Sequence, residues 1–165
     1  MDEILRLANK YRGKGVLVDT NILLLCIVGL HQQSAIARHK RLREDYSIDD
    51  FQVLHRFLHG FRTIATTPHI LAECSNWLSQ IGDPLRSRIV KSFASQIPGY
   101  AEHDRPASKV AIDREFPRYG VTDTAIAQTE PGSLLVLTDD FGLLQLLVSR
   151  GVDVVNFNHL RDFRP

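Results

Sequence analysis

Residues 15–21 read GVLVDTN, and this stretch decides the fold. Val16, Leu17 and Val18 form a short apolar run with β-branched ends, the pattern of a strand buried on both faces. The run stops at Asp19-Thr20-Asn21, and a second apolar run, residues 22–28, follows at helical length. The stretch reads as strand, polar turn, helix. In an open parallel sheet, ligands sit outside the carboxyl ends of the strands, where Asp19 falls. A lone carboxylate there is costly unless a cation or a donor meets it. Three further acids in the chain are candidates to converge on Asp19.

The same unit recurs downstream. Residues 133–137 (SLLVL) are a buried-type strand ending in Thr138-Asp139-Asp140. Leu143, Leu144, Leu146 and Leu147 then mark a helix, ended by Gly151, and residues 152–157 a last strand. Thr138 reads as the N-cap of that helix, with Asp139 and Asp140 as its first two residues. Residues 63–66 are a further strand candidate. Thr67 and Pro68 follow as N-cap and first helical residue. That helix runs through Ile70, Cys74, Trp77 and Ile81 as one apolar stripe. Glu73 lies roughly 60° around from the stripe, on the border of the buried face. Gly82-Asp83-Pro84 separates it from a helix with Leu85, Ile89, Val90 and Phe93 as apolar positions.

Residues 98–106 read as irregular and 107–116 as weakly helical. Thr122 reads as the cap of a helix opened by Asp123 and ended at Pro131-Gly132. Phe51, Leu54, Phe57 and Leu58 mark a helix closed by Gly60. An amphipathic pattern at residues 2–11 adds an N-terminal helix at about 2–12, broken by Gly13 and Gly15. Strands alternating with helices predict an α/β fold. The expectation is a three-layer α/β/α domain over residues 1–165, with a central parallel sheet of about four to five strands.

Composition agrees with a soluble globular domain: 44% hydrophobic and 24% charged residues, with a net charge of +1. Residues 22–30, the longest apolar run, are too short to span a bilayer, so no membrane is expected. Asp2, Glu3 and Arg6 do not fit a signal peptide. Cys26 and Cys74 both fall in apolar helical patterns, which favours buried thiols and a cytoplasmic location over a disulfide.

Four acids stand where a strand has just ended or a helix has just begun: Asp19, Glu73, Asp123, and Asp139 or Asp140. Strand ends of a parallel sheet lie on one edge, so these side chains can meet. Clustered carboxylates raise each other's pKa. Oxygen ligands without convergent Cys or His favour a hard cation, Mg²⁺ or Mn²⁺. Such a site suits attack of an activated water on a phosphodiester. Each acid also has a plainer reading. Asp19 could bond the backbone at Asn21 in a turn, and Glu73 could be a solvated helix residue. Asp123 and Asp139 could serve only helix N-termini. The joint arrangement favours the metal site.

With these residues in view, the chain resembles the PIN-domain nucleases, the fold of many toxin–antitoxin ribonucleases. The matching pieces are LVDTNILL, TPHILAECSNWL, GVTDTAIAQ and LLVLTDDFGLL, followed by GVDVVNF as the last strand. They come in the family's order and span residues 16–157. The resemblance implies a metal-dependent endoribonuclease that cuts single-stranded or looped RNA. It implies Asp19, Glu73, Asp123 and Asp140 as the metal-binding acids, and Asn21 and Thr138 as supporting polar positions. The family pattern of Thr, any residue, Asp falls on Asp140 and leaves Asp139 a supporting role. RNA, an antitoxin protein and a second copy of the chain are the partners it implies. The N-terminal helix and the long segment 31–60 depart from the small members of the family.

Other signals are weaker. Arg38, Lys40, Arg41 and Arg43 read either as a phosphate-binding patch or as a solvated helical face balanced by Glu44, Asp45, Asp49 and Asp50. His55 and His59 have zinc-compatible spacing but no nearby Glu or Cys to complete a set. Cys74 beside Glu73 is placed in the core rather than as a nucleophile. There is no phosphate-binding glycine motif. Phosphatases with a strand-end nucleophilic Asp resemble LVDTN but carry a second Asp where this chain has Asn21. An RNA-binding or scaffold domain with the same fold and no catalysis is the non-enzymatic alternative. The presence of all four acids argues against it.

Overall fold

Val16–Val18 forms β1, and all three of its side chains are buried. It is the middle strand of a computed structural model that describes residues 2–163; residues 1, 164 and 165 of the expected domain lie outside the described residues. Before it comes α1 (Asp2–Tyr11), which buries Leu7 and Tyr11. The Tyr11 hydroxyl donates to Asp153 at 2.8 Å and Lys10 pairs with the same carboxylate at 2.6 Å. Gly15 at the start of β1 has φ +124°, and a Cβ there would stand 2.9 Å from the Thr63 carbonyl oxygen. No other residue could turn the chain there without strain.

After β1 the chain forms α2 (Thr20–His31) and α3 (Ile48–Leu58), then β2 (Ile64–Thr66). The helix α4 (Pro68–Trp77) and α5 (Leu85–Gln96) lead to β3 (Ala101–Glu102). A short α6 (Ala107–Val110) and α7 (Phe116–Ala127) lead back to β4 (Leu135–Thr138). Then α8 (Phe141–Ser149), β5 (Val154–Asn156) and a one-turn α9 (Phe157–Leu160) complete the described chain.

The strands make one sheet in the order β3-β2-β1-β4-β5. All four pairings are parallel, with Leu17 opposite both Ala65 and Val136. Helices flank this sheet, which makes the α/β, three-layer architecture expected from the sequence. Right-handed crossovers put α2 to α5 on one face and α6 to α8 on the other. The chain leaves the centre through β2 and β3, then returns to the opposite side of β1 through β4. The sheet therefore has its topological switch point between β1 and β4, where the crevice outside the strand ends opens. The helix α2 is almost wholly buried, so it is apolar on every side rather than striped.

Local expectations needed correction where a long-range contact decided the outcome. Residues 98–106 are not wholly irregular: Ala101–Glu102 adds an edge strand beside β2. Two residues are too few to show an alternation. The stripe through Ile81 does not stay α-helical, because α4 ends at Trp77 and tightens into a 3₁₀ turn over Leu78–Gln80. Val90 is exposed, whereas Leu85, Ile89 and Phe93 are buried. Within Phe116–Ala127 a non-helical Gly120 (φ 71°, ψ −171°) divides two helices, and the one with Asp123 follows it and ends at Ala127, short of Pro131-Gly132. Thr122 stands in the first turn of this helix rather than at its cap, and its hydroxyl goes to Glu73. Thr138 is the last residue of β4, and Asp140 caps α8 instead, accepting from the Leu143 amide at 2.7 Å. Both residues are good caps, but Thr138 is still paired in the sheet opposite Asn156, and its oxygen accepts from the Asp140 amide, outside α8.

Candidate active site at the switch point

Asp19 stands directly after β1 in extended backbone and caps α2. Its Oδ1 accepts from the Thr20 amide at 2.6 Å and its Oδ2 from the Thr138 hydroxyl at 2.7 Å. The plainer reading placed its backbone bond at Asn21; the amide it meets is that of Thr20. Asp19 is 5% exposed. Burial pushes its carboxyl up to about 7. The Thr138 bond opposes this, the Asp123 charge adds to it, the Thr20 amide opposes it and the Asp139 charge adds a little.

Glu73 reaches across from α4, half-buried. Its Oε2 accepts from the Thr20 hydroxyl at 2.9 Å and its Oε1 from the Thr122 hydroxyl at 2.6 Å. One carboxylate thus ties α2, α4 and α7 together. Asp123 follows the Gly120 kink and is also half-buried. Among the described residues it accepts no hydrogen bond. Burial first, then the charges of Asp140 and Glu73, push it up to about 6. Three threonine hydroxyls therefore orient two of the acids, and the third acid faces the crevice bare.

Asp19, Glu73, Asp123 and Asp140 all line one cavity of about 420 Å³. Asp139 does not. Its Oδ2 accepts from the buried Tyr46 hydroxyl, and its buried Oδ1 has no partner among the described residues. Burial and the Asp139 charge push the Tyr46 phenol well above its usual range. Asn21 also lines the cavity, with its Oδ1 accepting from Arg41 Nε at 2.8 Å.

The basic cluster divides. Arg38, Lys40 and Arg43 are exposed, and Arg43 lies 3.7 Å from Glu44. Arg41 alone of the four lines the cavity, its guanidinium carbon 4.1 Å from the centre of the Trp77 ring. The 3₁₀ turn Gln33–Arg38 replaces the long helical face assumed for this segment. Trp77, Asn76 and Tyr119 also line the cavity and were not anticipated there. Trp77 and Asn76 stand four and three residues after Glu73, so helical neighbourhood could have indicated both.

His55 and His59 face each other, with ring nitrogens 3.1 Å apart, and the Phe51 ring centre lies 5.5 Å from that of His55. Cys26 and Cys74 are free and buried. The Cys74 thiol donates to the Thr20 carbonyl at 3.6 Å, and burial pushes it far from ionisation. It packs and does not react.

Among the described residues, no three His, Cys, Asp or Glu side chains stand together as a group that could hold a metal ion. The donor chemistry still suits a hard cation of one kind. Mg²⁺ keeps several waters and is held by one or two carboxylates and by substrate phosphates, so it does not need a three-carboxylate cage. No ion pair among the described residues involves Asp19, Glu73, Asp123 or Asp140. Each oxygen of Glu73 and Asp19 accepts one bond and retains a second lone pair. No helix is long and apolar enough to cross a membrane among the described residues. In comparisons with known proteins, no family model, no curated protein and no solved structure matches this chain.

Proposed function

We propose that this chain is a divalent-metal-dependent endoribonuclease of the PIN-domain type, with Asp19, Glu73, Asp123 and Asp140 as its acidic site. One observation carries the reading. Four acids, from the ends of β1 and β4 and from α4 and α7, line one cavity at the switch point, and among the described residues none of them is in an ion pair. Carboxylates so placed raise one another's proton affinity unless a cation joins them. The same residues carry the resemblance seen in the sequence.

One or two of the acids Asp19, Glu73, Asp123 and Asp140 would hold Mg²⁺ or Mn²⁺, with waters and a substrate phosphate completing its shell. When bound, such an ion polarises a phosphoryl group and makes water a stronger nucleophile. The chain's own part is orientation. The Thr138 hydroxyl fixes the Asp19 carboxylate across the gap between β1 and β4. Thr20 and Thr122 fix Glu73 from two sides. Holding donors in place before substrate arrives lowers the reorganisation that the reaction requires.

A second reading, a domain that binds RNA without cutting it, is favoured by the lack of a preformed three-acid group among the described residues. One experiment separates the two. Purified protein is incubated with mixed single-stranded RNA in Mg²⁺, in Mn²⁺ and in excess chelator. Cleavage that needs the ion is expected. Binding without cleavage under every ion selects the second reading, and undiminished cleavage in chelator overturns the metal requirement.

A further inference from the structure

Arg41 is held by two contacts of its own, on a segment anchored by His39. It follows His39 and precedes Leu42, both fully buried. His39 Nε2–H donates to the Trp77 carbonyl at 3.0 Å, which fixes this segment to the end of α4. The guanidinium carbon lies over the Trp77 ring, 4.1 Å from its centre, and Nε donates to Asn21 at 2.8 Å. Its two Nη groups have no hydrogen-bond partner among the described residues. They form the flat edge of the guanidinium, two parallel donors at the spacing of two phosphate oxygens.

The placement of this edge is informative. Arg41 lines the same cavity as four carboxylates, yet it makes no ion pair with any of them. Its contacts are instead with the Trp77 ring and Asn21. A phosphodiester entering an acid-lined cavity is repelled. Among the described residues, Arg41 is the one Lys or Arg on the cavity wall, so it is where that repulsion can be offset.

We infer that Arg41 is a phosphate clamp for single-stranded RNA, its Nη edge taking a phosphate at the mouth of the acidic cavity while Trp77 and Asn21 hold it rigid. The inference rests on reading the cavity as an RNA site, and it names the residue that positions the strand there. Arg38, Lys40 and Arg43 take no part in this clamp. A lysine could not replace Arg41, because it has neither the plane that stacks nor the Nε that bonds Asn21.

The test measures binding apart from cleavage. A labelled single-stranded RNA is titrated by fluorescence anisotropy in excess chelator, at several salt concentrations. The proteins are the unsubstituted chain, Arg41→Gln, Arg41→Lys and Trp77→Phe, each checked by its melting curve. Arg41→Gln should weaken binding by about tenfold or more and flatten the salt slope by about 0.7, the share of one phosphate on a single strand. Arg41→Lys should keep most of the slope and lose affinity, since the charge stays and the fork is gone. Trp77→Phe should fall between the two chains that keep a charge at position 41. An unchanged affinity and slope in Arg41→Gln overturns the clamp, as does an unsubstituted chain whose RNA binding ignores salt. A parallel Mg²⁺ cleavage assay keeps the two ideas distinct. Arg41-dependent binding without cleavage removes the nuclease reading and leaves the clamp. Cleavage with the same KM in Arg41→Gln does the reverse.

Discussion

The Thr138 hydroxyl donates to Asp19 Oδ2 at 2.7 Å across 119 residues of sequence. The same Thr138 oxygen accepts from the Asp140 amide at 3.0 Å. The bond thus joins the ends of β1 and β4 at the switch point and sets where α8 begins. Asp19 has two donors and, among the described residues, no ion pair, so burial pushes its carboxyl up against the pull of the Thr138 bond.

Asp19→Asn should abolish ion-dependent cleavage while the ion-free protein stays as stable or becomes more so. The carboxyl is raised from 3.8 to about 7. The folded state therefore binds the proton more tightly than the unfolded chain, and stability falls as pH rises between those values. At about 1.4 kcal/mol per pH unit, ionised Asp19 costs the ion-free fold of the order of 4 kcal/mol. Asn caps a helix as well as Asp does, and Thr138 can accept from the new amide. Melting temperatures of both chains in chelator, from acid to mildly alkaline pH, check this. The native chain should decline relative to the variant across the window. A large loss of stability in Asp19→Asn at every pH would make Asp19 a structural turn residue.

Asp140→Asn should reduce ion-dependent cleavage far more than Asp139→Asn. Asp140 lines the cavity, whereas Asp139 is turned onto Tyr46. The helix start survives in Asp140→Asn, because Asn retains the cap on the Leu143 amide. A Mn²⁺ titration of both variants reads the difference. A dead Asp139→Asn beside a near-normal Asp140→Asn would reverse the assignment.

The parts of this fold legible in the sequence are those decided by near neighbours. The β1 and β4 runs are apolar, short and bounded by polar turns, and Thr67-Pro68 carries both cap signals at once. The four acids could be found because strand ends of a parallel sheet share an edge. What was not legible depends on contacts between distant residues. Thr138 and Asp140 can each cap α8, and the pairing of Thr138 with Asn156 across the sheet decides between them. Tyr46 holds Asp139 from 93 residues away. Arg38, Lys40, Arg41 and Arg43 look alike in sequence, and Trp77 singles out Arg41. The edge strand β3 is too short to leave a periodic trace.

Gly29→Ala should destabilise the fold by about 1–3 kcal/mol or more without touching the cavity. A Cβ at Gly29 would stand 2.2 Å from Phe51 Cδ2, and Phe51 is itself buried where α2 meets α3. The gain in helix propensity, up to about 1 kcal/mol, does not offset that overlap. Urea unfolding at neutral pH measures the change. A variant as stable as the parent would mean that α3 can shift outward freely.

Asp113→Asn should weaken the fold at neutral pH and matter progressively less in acid. Arg150 meets Asp113 with two bonds, Nη2 to Oδ1 at 2.8 Å and Nη1 to Oδ2 at 2.9 Å. Both side chains are mostly buried, 12% exposed for Asp113 and 25% for Arg150. The pair joins the turn before α7 to the end of α8, and so braces the two helices that carry Asp123 and Asp140. The Arg150 bonds hold the Asp113 carboxyl well below the usual carboxylate range, helped by the Glu115 amide. A depressed acid contributes stability that is complete above its unfolded value of about 4, and that is lost as pH falls toward the folded one. The expected loss at neutral pH is about 1–3 kcal/mol, the worth of a charge-assisted pair. Unfolding free energies of both chains should therefore differ by a constant amount from mildly alkaline pH down to about 5, then converge below about 4. A difference as large in strong acid as at neutrality would place the effect in packing and not in the charge.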